Sequence, residues 1–157
     1  MAAWGFVTNF GVMQTMAKVS FHSADRAIPL TNRTALKTFI ASLFRREKQQ
    51  LDSIHYIFCS DEYLVQINRD FLSHDYYTDI ITFGLSAPGQ PVEAEIYISV
   101  DRVKDNAANL AQPFRKELLR VVFHGALHLC GYKDKKKSEI TIMREKEEQY
   151  LRLFEKK

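Results

Sequence analysis

Two histidines lie four residues apart in an apolar segment, within the stretch HGALHLCGYKDKKK that runs from His124 to Lys137. On an α-helix, positions 124 and 128 are separated by about 40° around the axis, so their side chains project from the same side. Imidazole nitrogens are good ligands for zinc. The spacing therefore favours a shared metal ion. The alternative is a pair of buried histidines whose nitrogens bind backbone carbonyls.

A catalytic zinc site usually has three protein ligands and one position left for water, so a third ligand is needed. Gly131 is placed to end the helix, and Asp134 follows in the loop, six residues after His128. Two imidazoles and one carboxylate suit a single Zn²⁺ ion, whereas an aspartate without the histidines would more simply be a solvated loop residue. Cys130 lies well round the helix from the pair, and we expect it not to be a ligand.

The residue between the two histidines that matters most for mechanism is Gly125. In the metalloprotease motif HExxH, this position is a glutamate that acts as the general base. Its replacement by glycine argues against peptide hydrolysis, which stays as an alternative. The residues identify no catalytic group beyond a metal-bound water.

The elements that must position these residues form a single α+β domain in our prediction. Alternating apolar residues predict strands at 18–22, 53–60, 79–85 and 93–100. Helical spacing predicts five helices, at about 32–49, 60–72, 101–110, 113–131 and from about 138 onwards. Thr31 or Asn32 is the predicted cap of the first helix, Pro113 the predicted first residue of the fourth, and Gly131 is placed to end it. This order implies a small four-stranded mixed sheet packed against several helices, with the metal site on a central helix and the following loop.

Composition narrows the function only slightly. The chain has 157 residues, a net charge of +3 and two cysteines, both in apolar runs, which indicates free thiols in a reducing compartment. No apolar run reaches the roughly 18 residues of a membrane span, and the first 17 residues lack the basic region of a signal peptide. We expect residues 1–17 to be a loosely structured leader or to precede the true start, and residues 18–157 to form the domain.

The histidine segment also resembles a known family. HGALHLCGYKD resembles the HGxLHLxGYDH signature of the YbeY-type endoribonucleases, which are bacterial rRNA maturation factors. The first two zinc ligands of the family fall on His124 and His128, and the third falls on Asp134. INRDFLSHDYYTDIITF at 67–83 resembles a family segment that contains TDVLSF, and EAEIYISVDRV at 93–103 resembles the family's GDIxIS stretch. Order and spacing agree over about two thirds of the chain.

The resemblance implies a cytoplasmic, zinc-dependent hydrolase of single-stranded RNA. It implies action at the 3′ end of 16S rRNA and in ribosome quality control, with rRNA, the small ribosomal subunit and a ribosome-associated GTPase as partners. We expect a monomer that does not bind membranes. A non-catalytic ribosome assembly factor with a structural metal is the alternative from a different class.

Three departures from the family pattern bear on activity. Asp134 replaces a histidine ligand, which keeps zinc feasible but changes the charge of the site by one unit. Leu72 stands where the family carries an arginine that is thought to help at the phosphate. The glycine and aspartate of GDI become Ala94 and Glu95, a change that we interpret as structural.

Several side chains are candidates for RNA contacts. Arg69 and His74 are near Leu72 in sequence and are candidates to replace the missing arginine. The alternative is that phosphodiester cleavage is slower here than in the family. Lys133 and Lys135, with the lysines that follow, surround Asp134 and would attract a phosphate backbone, although a lysine run is often only a solvated loop. The paired tyrosines at 76 and 77 could stack on bases or simply belong to a turn.

Overall fold

A four-stranded mixed sheet forms the centre of the fold in the computed structural model, which describes residues 18–156. Its strands are β1 (Lys18–Ser23), β2 (Leu51–Cys59), β3 (Ile80–Gly84) and β4 (Val92–Ser99), in the order β1-β2-β4-β3. Strands β1, β2 and β4 are parallel, and β3 runs antiparallel to β4. The predicted α+β fold is confirmed. The expected leader at 1–17 lies outside the described residues.

Five helices surround this sheet in the described part of the chain: α1 (Arg33–Arg46), α2 (Asp61–Leu72), α3 (Val100–Asn109), α4 (Phe114–Leu129) and α5 (Lys137–Glu155). Two predicted details are wrong. Helix α1 ends before 49 because Lys48 adopts a left-handed backbone with φ of 59°. Asn32 is the N-cap of α1, as predicted, although its side chain makes no capping hydrogen bond. Pro113 is the N-cap of α4 and not its first residue.

The sheet buries one face under the helices that carry the candidate site. Alternate residues of β2 and β4 point into this core, as the two-residue period of a strand requires; they are Ile54, Tyr56, Phe58, Ala94, Ile96 and Ile98. Phe39 of α1, Phe123 of α4 and Phe154 of α5 lie within 5.0 to 6.0 Å of one another between ring centroids. This aromatic cluster fixes α5 against α4.

Gly125 explains how closely α4 approaches the sheet. A Cβ atom at this position would lie 2.8 Å from Cδ1 of Ile96 and 2.9 Å from Cδ1 of Ile80, closer than side chains pack without displacement. A glutamate at 125, as in HExxH, would point into β3 and β4. Positions 124 and 128 are rotated by about 60–100° from Gly125 around the helix. The histidines therefore face away from the contact with the sheet.

The structure also bears on two smaller expectations. Both cysteines are free thiols, with Cys59 buried and Cys130 half-buried. None of the helices in residues 18–156 combines the length and apolar character needed to cross a membrane.

Candidate metal centre

Three side chains converge at the C-terminal end of α4, and they are the three predicted ligands. Nε2 of His124 lies 3.2 Å from Oδ2 of Asp134, and Nε2 of His128 lies 3.3 Å from the same oxygen. A tetrahedral ion with bonds of about 2.0–2.1 Å holds its ligand atoms about 3.3–3.4 Å apart. Two imidazoles and a carboxylate at this spacing are positioned to hold a metal ion, and residues 18–156 contain no other such group.

The second nitrogen of each imidazole is held by a hydrogen-bond acceptor. Nδ1 of His128 lies 2.8 Å from the backbone carbonyl oxygen of Tyr132. Nδ1 of His124 lies 2.7 Å from Oε2 of Glu147. Because a carbonyl or carboxylate oxygen only accepts, each Nδ1–H donates, and Nε2 of each ring faces Asp134. Metal-binding histidines are usually oriented in this way by a second group.

The loop that carries Asp134 is fixed by the end of α4. Gly131 follows the helix with φ of 103°, a left-handed conformation that favours glycine. The backbone N–H of Tyr132 donates to the carbonyl of Leu127 at 3.1 Å, which turns the chain back over the helix end. The Tyr132 hydroxyl then donates to Oε1 of Glu47 at 2.7 Å, which ties the loop to the end of α1. These contacts bring the carboxylate of Asp134 to the histidine pair.

Glu147 of α5 contacts a candidate metal ligand, a contact that the sequence alone did not reveal. Its side chain is 1% exposed, and its Oε1 accepts from Arg120 at 3.2 Å and from Arg144 at 3.0 Å. Burial alone would raise the pKa of Glu147, but the hydrogen bond from His124 and the arginine charges outweigh burial and lower the pKa. Glu147 is therefore an anion inside the protein, placed against the back of a metal ligand.

The same contact changes the titration of His124. Burial alone would lower the pKa of this imidazole, but the hydrogen bond to Glu147 and the charges of Glu147 and Asp134 raise the pKa overall. The ion-free site thus holds a proton on His124 more strongly than an ordinary histidine does. A metal ion must displace that proton when it binds.

A cleft of about 420 Å³ opens beside the ligands, and we call it the metal cleft. Its lining includes His124 and Asp134 together with Asp79, Arg144 and Glu147. This volume is within the usual range of sites for small molecules and cofactors. The cleft is lined mainly by charged and polar groups.

Asp79 is a second cleft residue that sequence reasoning missed, although it lies in the segment TDIITF that carried the resemblance. Asn106 donates from Nδ2 to its Oδ2 at 3.3 Å, and Ser99 donates from its backbone to the Asp79 carbonyl at 2.9 Å. Burial raises the pKa of Asp79, and the charge of His124 offsets this only in part. A carboxyl with a raised pKa in a cleft is typical of groups that transfer protons.

The four side chains predicted to contact RNA are not among the described residues that line the metal cleft. Lys133 and Lys135 are exposed on either side of Asp134. Nε of Arg69 is paired with Oδ1 of Asp75 at 2.6 Å. His74 is exposed and stacks on Tyr76 with ring centroids 5.1 Å apart. These contacts stay predictions, and neither Arg69 nor His74 reaches into the cleft.

Comparison with known proteins decides the family. The family model for endoribonuclease YbeY matches residues 18–155. The chain belongs to the YbeY family. Endoribonuclease YbeY of Cytophaga hutchinsonii is 48% identical over 135 residues, which cover 86% of this chain and 94% of the relative. Endoribonuclease YbeY of Porphyromonas gingivalis is 43% identical over 136 residues, covering 87% and 89%.

A solved structure supports the fold of this YbeY family member. The solution structure of a Thermotoga maritima protein superimposes with a TM-score of 0.58 at 27% identity, covering 87% of this chain and 88% of the other. The predicted family and fold are confirmed together.

Proposed function

We propose that this protein is a zinc-dependent endoribonuclease that cleaves single-stranded RNA in maturation of the 16S rRNA 3′ end and in ribosome quality control. Membership of the endoribonuclease YbeY family supports the reaction and the RNA substrate. The observation that carries the metal dependence is the convergence of two Nε2 atoms on one carboxylate oxygen at 3.2 and 3.3 Å.

The donor set favours zinc over magnesium and calcium. Neutral imidazole suits zinc, and a single carboxylate completes a compact tetrahedral site, whereas magnesium and calcium prefer shells made of oxygen. When bound, zinc acts as a Lewis acid that polarises a phosphate oxygen and lowers the pKa of coordinated water. His124, His128 and Asp134 would hold one ion. Glu147 and the Tyr132 carbonyl would keep the two imidazoles oriented towards it.

Asp79 has the properties of the proton acceptor that the sequence could not identify. Its Oδ2 accepts from Asn106, and the carboxylate would accept a proton from the water that attacks the phosphorus. A pKa above the ordinary value makes this carboxylate a stronger base than a solvated aspartate. The water oxygen would then form a bond to phosphorus while one P–O bond of the RNA backbone breaks, and the proton taken up by Asp79 would pass to the leaving ribose oxygen.

Substrate assays with the purified protein test the reaction class. We expect cleavage of a labelled single-stranded RNA, slower cleavage of the same sequence in a duplex, and no cleavage of casein. Cleavage of casein without cleavage of RNA would overturn the proposal in favour of a peptide hydrolase, a function that Gly125 and its contacts with the sheet already disfavour.

A deletion strain tests the cellular role and separates catalysis from binding. Wild-type protein is expected to restore 16S rRNA 3′ end maturation, and His128→Ala is expected to fail. Full rescue by a folded His128→Ala protein would favour a non-catalytic assembly factor. The proposal also includes a cytoplasmic monomer that meets rRNA on the small ribosomal subunit, with a ribosome-associated GTPase as a further partner. Cosedimentation with small subunits checks that association.

A further inference from the structure

The metal cleft contains two arginines that differ in how fully their charge is neutralised. Arg120 is 12% exposed and contacts three carboxylates, Glu117 at 3.1 Å, Glu147 at 3.2 Å and Glu148 at 2.8 Å. Arg144 is 60% exposed, and among the described residues its ion pair is with Glu147, from Nη1 at 3.0 Å. The charge of Arg120 is therefore neutralised by carboxylates of the protein itself. Arg144 keeps most of its guanidinium free for a ligand from solvent.

The position of Arg144 places this guanidinium beside the candidate chemistry. It lies three residues before Glu147 on α5, and both side chains line the metal cleft with His124 and Asp134. Its charge also acts on Asp79, whose pKa it lowers against the larger effect of burial. Arg144 is thus held by the same carboxylate that orients a metal ligand, and its field reaches the proposed proton acceptor.

A guanidinium has five N–H donors in a planar fork that matches two oxygens of a phosphate. One of these nitrogens is anchored to Glu147, which reduces the freedom that the side chain would lose on binding. The cleft otherwise has an acidic lining, with Asp79, Asp134 and Glu147 among its carboxylates, so a polyanion needs a cation within it. Lys133 and Lys135 lie on the loop outside the lining.

We propose that Arg144 binds the phosphodiester of the RNA substrate inside the metal cleft by donating to its non-bridging oxygens. This inference rests on the proposed ribonuclease function and names the phosphate subsite within it. It also assigns to α5 the role for which Arg69 and His74 were candidates on sequence. Arg69 is already paired with Asp75, and neither residue lines the cleft.

The test compares Arg144→Gln with Arg152→Gln. Arg152 is exposed on the same helix, eight residues later, and lies outside the cleft lining, so both variants lose one charge from α5. A hydrogen bond to a charged group contributes about 1.5–3 kcal/mol, so Arg144→Gln should lower kcat/KM on single-stranded RNA by about 10- to 150-fold. Arg152→Gln should stay within about threefold of wild type, the scatter expected for a surface substitution.

Binding provides a readout that does not depend on turnover. Fluorescence anisotropy of labelled single-stranded RNA with the zinc-free protein should show weaker binding for Arg144→Gln. The slope of log affinity against log salt concentration should become shallower by about 0.7, the value for one lost phosphate contact on a single strand. Arg152→Gln should keep the wild-type slope.

Different outcomes reject different claims. Equal kcat/KM and equal salt slopes for the two variants would overturn the assignment of Arg144. Loss of zinc content in Arg144→Gln would also overturn it, because Arg144 would then act by supporting Glu147 and the ligand. A wild-type protein that binds RNA through Arg144 without cleaving it would leave the subsite intact and reject the proposed ribonuclease activity.

Discussion

Replacing Glu147 by glutamine tests how the protein tunes its metal site. The substitution keeps the size of the side chain and an oxygen that can accept from His124, but removes the negative charge. Loss of a partner that orients a metal ligand typically costs 10- to 100-fold in metal affinity, which corresponds to about 1.4–2.8 kcal/mol. The 2.7 Å contact and the 1% exposure of Glu147 place this change near the upper part of that range.

The matched control is Glu148→Gln. Glu148 contacts the same Arg120 at 2.8 Å but is 39% exposed and has no contact with His124 among the described residues. Both variants remove one acidic charge that contacts Arg120, and Arg120 keeps Glu117 in each case. Glu147→Gln also removes the partner of Arg144. Only Glu147→Gln should weaken zinc binding. Glu148→Gln should leave the zinc Kd within about twofold of wild type, as expected for an exposed ion pair.

Competition with a chromophoric zinc chelator measures the Kd of each variant, and circular dichroism establishes that each is folded. A folded Glu147→Gln protein with wild-type zinc affinity would refute the role assigned to Glu147. Equal weakening in both variants would refute it as well, because the effect would then come from the general loss of negative charge near the site.

Three further predictions follow from the packing, the cleft and the titration of the site. Gly125→Ala should lower the free energy of unfolding in urea by about 1 kcal/mol. Displacing Ile96 and Ile80 costs about 1–3 kcal/mol, whereas alanine in place of glycine stabilises a helix by up to about 1 kcal/mol. A variant more stable than wild type would contradict the close packing. Asp79→Asn should lower kcat on RNA by about 10²- to 10⁴-fold with zinc content unchanged, and a rate near wild type would exclude Asp79 as the base. The pKa of His124 is raised in the zinc-free fold, so its protonation stabilises that fold below about pH 6.5 and this contribution is lost as pH rises through the raised pKa. Compared with His124→Gln, the zinc-free wild type should therefore lose thermal stability as pH rises above about 6.5 while its zinc affinity increases, and the opposite trend would show that the imidazole is not held protonated.

The parts of the site that could be predicted are those fixed by local geometry. Rotation along a helix places His124 and His128 on one side, whatever the rest of the chain does. A glycine at the helix end turns the chain, so a carboxylate three residues later can return to the pair. The sequence of a single helix and loop therefore contained the whole candidate ligand set.

The parts that could not be predicted depend on packing between distant segments. Glu147 is 23 residues from His124 and lies in a charged run on α5 that resembles a solvated helix face. It is buried because the packing of Phe39, Phe123 and Phe154 holds α5 against α4. Asp79 precedes β3, and its place in the cleft depends on the antiparallel pairing of β3 with β4. The sequence shows that position 125 is not a glutamate. The steric reason, which is the close approach of α4 to β3 and β4, is visible only in the folded structure.

The most direct test of the account joins zinc content to RNA cleavage in one purified preparation. The wild-type protein should contain one zinc ion per chain, lose cleavage of single-stranded RNA when the ion is removed by chelation, and recover it when zinc is restored. His128→Ala should have neither the ion nor the activity. Undiminished cleavage by the chelated protein or by His128→Ala would contradict the central claim that His124, His128 and Asp134 form the catalytic metal centre.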